Sequence, residues 1–107
     1  MKTVTVTLGG REYLVTDLTL GELCEIARLD AAMRAAGKER DIAKIGALLR
    51  EALEIVCSSI RRTGSNVPTE EVKNETPVED IRNAVQILLN FTNAPFDSDF
   101  PSGAKIQ

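Results

Sequence analysis

The stretch from Val4 to Leu23, VTVTLGGREYLVTDLTLGEL, decides how the rest of the chain must be arranged. Thr3 to Leu8 alternate polar and apolar with period two, the spacing that sends successive side chains to opposite faces of a strand. Gly9-Gly10 follows, and glycines accept the positive φ angles of a two-residue primed turn. A hairpin closed there sets Leu8 opposite Arg11, Val6 opposite Tyr13 and Val4 opposite Val15. One face then collects Val4, Val6, Leu8, Tyr13 and Val15. The other holds Thr3, Thr5, Thr7, Glu12 and Thr16, with Leu14 as the apolar exception. A two-stranded sheet with one apolar face is marginal alone, so helices are predicted beneath it.

The end of the same stretch starts the first of them. Thr19 followed three residues later by Glu22 is a capping box, which predicts a helix over 20–36 with Gly37 just past its end. Its apolar arc, Leu20, Leu23, Cys24, Ile26, Ala27, Leu29, Ala31, Ala32 and Met33, is wider than one stripe, with Glu22, Glu25 and Arg28 on the narrow polar side. A second helix is predicted over 40–62. Ile42, Ile45, Leu49, Ala52 and Val56 repeat at three-four spacing, Leu48, Leu53 and Ile60 widen the stripe, and Gly64 stands past the end. Arg61-Arg62 in the last turn suits the negative end of the helix dipole.

Gly64, Ser65, Asn66 and Pro68 break the pattern, and Thr69-Glu70-Glu71-Val72 is read as a single helical turn. A third long helix is predicted over 77–92, with Thr76 as N-cap, Pro77 in the first position and Glu79 closing a second capping box. Val78, Ile81, Ala84, Val85, Leu88 and Leu89 form its buried face. The last residues, 94–107, carry two prolines, a glycine and no periodicity, which predicts a flexible, disordered tail. Phe96 and Phe100 in that tail have two readings: docking motifs for a partner, or anchors that fold back on the domain. The expected fold is therefore α+β but mainly α: an N-terminal β-hairpin packed on a three- to four-helix core, one globular domain over 1–93, then the tail.

At 107 residues the chain has room for one core and no second catalytic domain. Aromatic residues are only 4% of it, so the core is aliphatic and no stacking platform for single-stranded nucleic acid is available. A net charge of -3 argues against a protein that draws its affinity from phosphates, and no nucleic-acid partner is expected. The charge is uneven: residues 1–62 hold ten basic and nine acidic side chains, residues 63–107 three basic and seven acidic, so a basic partner would meet the second half. No apolar run approaches the ~20 residues of a membrane span, and the N-terminus alternates instead of forming a signal-peptide core, so a cytoplasmic protein is expected.

Chemistry is harder to find. The chain has no histidine, so Ser58, Ser59, Ser65, Ser98 and Ser102 have no imidazole to activate them. Cys24 and Cys57 lie among helix-forming apolar residues without a CxxC pair, which predicts two small buried hydrophobes and no zinc site. The acidic set Glu70, Glu71, Glu75, Glu79 and Asp80 straddles two helix starts, where acids are favoured by capping and dipole. A helix-turn-helix is disfavoured because the linker AAGKERD is longer than that motif's turn. No enzyme activity, cofactor or metal is expected. The surplus is apolar instead, and Leu20, Leu23, Ile26, Leu29 and Met33, with Phe96 and Phe100, are the candidate protein-binding residues.

The order of these elements, the start Gly-Gly-Arg-x-Tyr … Leu-Thr-Leu-Gly-Glu-Leu and the late Val-Glu-Asp-Ile helix together resemble the tail assembly chaperones of long-tailed, siphophage-like bacteriophages and prophages. The similarity covers residues 3 to about 93. It implies a non-enzymatic protein of the host bacterial cytoplasm that binds the tape-measure protein and helps the tail tube polymerise around it, and that is absent from the finished virion. It also implies a longer, frameshifted form that recruits the tail-tube protein. Self-association into a homo-oligomer is expected as well, since an apolar arc can bury against its own copy. Three rivals stay open: a small virion structural protein, such as a tail-completion or head-tail connector subunit; a host-directed regulatory adaptor whose acidic half mimics nucleic acid; and, as the residual enzyme reading, a metal-dependent enzyme in which substitution of Glu70 or Asp80 would abolish an activity.

Overall fold

The computed structural model describes the backbone from residue 2 to residue 99 and side-chain surroundings as far as residue 92. Strands β1 (Thr3–Leu8) and β2 (Arg11–Thr16) are followed by helices α1 (Leu20–Glu39), α2 (Ile42–Arg62), α3 (Thr69–Glu75) and α4 (Val78–Asp99). The expected architecture of a hairpin on helices is the observed one. Strand pairing is antiparallel with Leu8 opposite Arg11, Val6 opposite Tyr13 and Val4 opposite Val15. Gly9 and Gly10 both have positive φ, +61° and +84°, which side-chain-bearing residues reach only under strain.

α2 is the axis of the molecule. It packs against α1, α3, α4 and β2, while α4 also packs against β1. Its Leu48, Leu49, Ala52, Leu53, Val56, Cys57 and Ile60 are all buried, joined by Ile26, Leu29 and Ala36 of α1, Val6, Leu8 and Val15 of the hairpin, and Ile81, Ala84, Val85 and Leu88 of α4. Each large aliphatic side chain taken fully out of water contributes on the order of 1.5–3 kcal/mol, and this single cluster is what opposes chain entropy.

Several boundaries differ from expectation for identifiable reasons. The Thr19 and Glu22 capping box is formed, but α1 runs through Gly37 and ends at Arg40, which takes the left-handed conformation at φ +56°. The Arg40 N–H bonds the carbonyls of Ala36 and Gly37, so the closing role expected of Gly37 falls to the next turn. α2 is capped by Asp41, whose carboxylate accepts the Lys44 N–H at 3.1 Å. The second capping box is not formed. Thr76 has extended backbone at the end of α3, α4 begins at Val78, and the described hydrogen bonds include none from the Thr76 hydroxyl or the Glu79 carboxylate. Asp80 works there instead: its carboxylate accepts the Gly9 N–H at 3.0 Å and ties the hairpin turn to the start of α4.

Ile42 and Val78 were expected on buried faces but are 79% and 51% exposed, because each opens a helix ahead of the point where it meets the core. Cys57 is buried as expected, whereas Cys24 is exposed. Helical backbone in α4 runs to Asp99, past the expected end near residue 92. The rest of the expected tail, with Phe100 and the side chain of Phe96, lies outside the described residues.

Candidate protein-binding surface

The charged side chains are organised around structure. Where β2 turns into α1, the Glu22 carboxylate accepts the Thr19 N–H at 3.0 Å and an Arg62 N–H at 2.7 Å. Arg62 also donates to the Asp17 carbonyl at 2.9 Å. Partial burial pushes the Glu22 carboxyl upward, but the Arg62 and Thr19 hydrogen bonds and the Arg62 charge outweigh it and hold the group below its ordinary range. Glu54 pairs with Lys73 across α2 and α3, and Glu25 and Glu51 share Arg28. Burial raises the Cys57 thiol, the opposite of what a nucleophile needs. Among the described residues no three His, Cys, Asp or Glu side chains gather at a spacing that would hold a metal ion.

Beneath this junction is a buried clamp. Ser59, fully enclosed, donates to the Thr16 carbonyl at 2.7 Å and accepts the Thr16 N–H at 2.8 Å. One turn later the Thr63 hydroxyl donates to the Ile60 carbonyl at 2.7 Å, with the Leu14 carbonyl 3.4 Å away. α2 therefore holds β2 through the Ser59 hydroxyl as well as through apolar contact, which is why Thr16, assigned by alternation to the exposed face, is only 8% exposed.

The surface feature best suited to a partner is a groove of about 390 Å³ between α1 and α4. Asp30, Met33, Arg34 and Gly37 line it from α1, and Arg82, Val85 and Gln86 from α4. On each helix these positions are three or four residues apart, so each contributes one face. Met33 and Val85 supply the apolar floor, and the other side chains form a polar rim in which Arg34 pairs with Asp30 at 3.0 Å. The space beside Gly37 is open, for a Cβ built there meets no atom within 4 Å.

Of the residues singled out from surplus apolarity, Ile26 and Leu29 are wholly inside the protein's own core and so are not surface contacts. The wide arc of α1 has a domestic cause: α1 sends these two residues and Ala36 into the common core and packs along α2. Leu23 and Met33 are partly buried against the core, and Leu20 is 76% exposed. Leu20 does not line the groove, so the expected contacts do not form one patch. Arg82, Val85 and Gln86 were missed, since Val85 reads only as core and nothing local shows that α4 borders the second half of α1.

Among known families, curated proteins and solved structures, nothing matches this chain. No helix among the described residues is long and apolar enough to cross a membrane.

Proposed function

We propose that the protein is a non-enzymatic binding protein of the phage tail assembly chaperone kind, acting in the host bacterial cytoplasm. It holds apolar, helical segments of the tape-measure protein before the tail tube encloses them. A frameshifted longer form brings the tail-tube protein to the same assembly, and copies of the chaperone associate along the client. The observation that supports this best is the groove between α1 and α4. An apolar floor of Met33 and Val85 inside a rim of Asp30, Arg34, Arg82 and Gln86 is suited to side chains from one face of an amphipathic helix. Modest apolar area with a charged rim also favours binding that is reversible, as displacement by tube subunits requires.

The test is co-expression of the full chain with the tape-measure protein of the same genome, followed by size-exclusion chromatography. A complex is expected, and Met33→Glu is expected to weaken it at least tenfold while the variant's thermal midpoint shows that it is still folded. Mass spectrometry of purified particles should find the tape-measure and tube proteins without this one. Stoichiometric presence in particles would overturn the chaperone reading in favour of a virion subunit.

A further inference from the structure

α1 and α4 both pack along α2, and they meet each other far less. Two helices held side by side on a third leave a trough between them, and here the trough is the groove floored by Met33 and Val85. Its direction follows from two contacts. Just before α1 begins, the Leu18 N–H donates to the Thr92 hydroxyl at 3.2 Å, whereas residues 82–86 of α4 lie beside residues 30–37 of α1. α4 therefore runs antiparallel to α1. Within the groove Arg82 comes first on α4 and stands at the end where Gly37 comes last on α1, while Asp30 stands at the opposite end.

The charges of this lining are unequally satisfied. Asp30 is its one carboxylate, and Arg34 already pairs with it at 3.0 Å. Arg82 is exposed and makes no ion pair among the described residues. At its end of the groove α1 presents Gly37, which has no side chain to offer. The neighbours do not serve either: Lys38, next to Gly37, has the same sign, and Glu79, one turn earlier on α4, is exposed and forms no ion pair among the described residues. A chain of net charge -3 thus leaves a cation open at the rim of an apolar groove.

We propose that Arg82 selects what the groove takes, and that the occupant is a helical segment of the client with a carboxylate one turn from its apolar anchor. This rests on the groove being the client's seat. On α1 the groove spans residues 30–37, about 10 Å at 1.5 Å per residue, or two helical turns. That leaves room for one anchoring side chain over Met33 and Val85 and for the residue one turn away, at the end held by Arg82. The floor offers no side-chain hydrogen bond, so a helix, which satisfies its own backbone, fits it better than an extended segment. Methionine adapts to the shape of its neighbour, so the floor asks only for an apolar anchor. The charge is what discriminates among apolar helices.

The probe is a blocked helical peptide of three AALAAEQ repeats, in which each Glu follows one Leu by three residues and precedes the next by four, with AALAAKQ as its counterpart. At 50 mM salt the full chain should bind the Glu peptide roughly tenfold more tightly, one exposed attraction set against one exposed repulsion. The amides of Gly37 and Val85 should shift in the ¹⁵N spectrum. At 0.5 M salt the difference should fall to about twofold. Arg82→Glu, at an exposed position, should keep the thermal midpoint and reverse the order of the two peptides. Arg50→Glu changes the net charge equally but lies beside Asn74 of α3, and should leave the order as it is. Should R82E not fold, the wild-type comparison decides alone.

Equal affinities, an order unchanged in folded R82E, no binding of either peptide at millimolar concentration, or shifts that avoid Gly37 and Val85 would overturn the inference. So would shifts at Gly37 that grow with protein concentration alone, which would give the groove to a second copy. The tape-measure complex separates this outcome from the chaperone reading. A complex broken by Met33→Glu but untouched by Arg82→Glu removes only the carboxylate preference, whereas the expected peptide behaviour without any complex removes only the chaperone reading.

Discussion

Replacing Ser59 with alanine removes one oxygen and tests the clamp between α2 and β2. The hydroxyl makes two short hydrogen bonds to one residue, donating to the Thr16 carbonyl at 2.7 Å and accepting its N–H at 2.8 Å. Ser59 is fully buried and Thr16 only 8% exposed, so water has little access to either orphaned backbone group. A buried polar group left without a partner costs about 1–3 kcal/mol. Two such groups at the end of a strand, partly relieved by water entering from that end and by a few tenths of a kcal/mol from alanine's better helix propensity, give an expected loss of about 2–3 kcal/mol. For a domain of this size that corresponds to a midpoint roughly 10–20 °C lower. The measurement is urea unfolding followed by far-ultraviolet circular dichroism, with the midpoint falling and the slope unchanged. Ser58→Ala, at the half-buried neighbour with no described hydrogen bond, should stay within about 0.5 kcal/mol. If Ser59→Ala also stays within 0.5 kcal/mol, the hydroxyl does not hold the strand and the account of the junction is wrong.

Further outcomes follow from single contacts. Gly46→Ala in α2 should raise stability by roughly 0.5–1 kcal/mol in the same assay, because the position is helical and exposed and a Cβ there meets nothing within 4 Å. Thiol titration of the native protein with an aromatic disulfide should show one fast group, Cys24, and a second, Cys57, that reacts only as the protein unfolds. Glu22 is held below its unfolded value, so its contribution is present above the ordinary glutamate range and is lost as pH falls through the lowered folded value. Glu22→Gln should accordingly flatten the acid limb of the stability profile. The loss at pH 7 should be about 1 kcal/mol, kept small because the pair is partly solvated.

How much could be read in advance depended on the distance over which each feature is decided. The hairpin register, the Thr19 and Glu22 box and the core stripe of α2 rest on neighbours within a few residues, where backbone stereochemistry and periodicity leave few alternatives. Thr76 shows the limit of such local signals: its capping pattern is complete in the sequence, yet the helix starts later and Asp80 turns to Gly9, a partner 71 positions away. The candidate surface was read poorly for the same reason. Counting apolar residues on α1 could not separate Ile26 and Leu29, which the core consumes, from Met33, which borders the groove.

By itself, then, the sequence determined which segments are strand and which are helix, the turn at Gly9-Gly10, and the want of histidine that closes off the commonest acid-base chemistry. Tertiary structure alone decided which apolar side chains remain at the surface, because burial depends on which helix lies opposite. It also decided that Ser59 takes both backbone groups of Thr16 at the edge of β2, a contact between residues 43 positions apart that exists only because α2 packs beside β2.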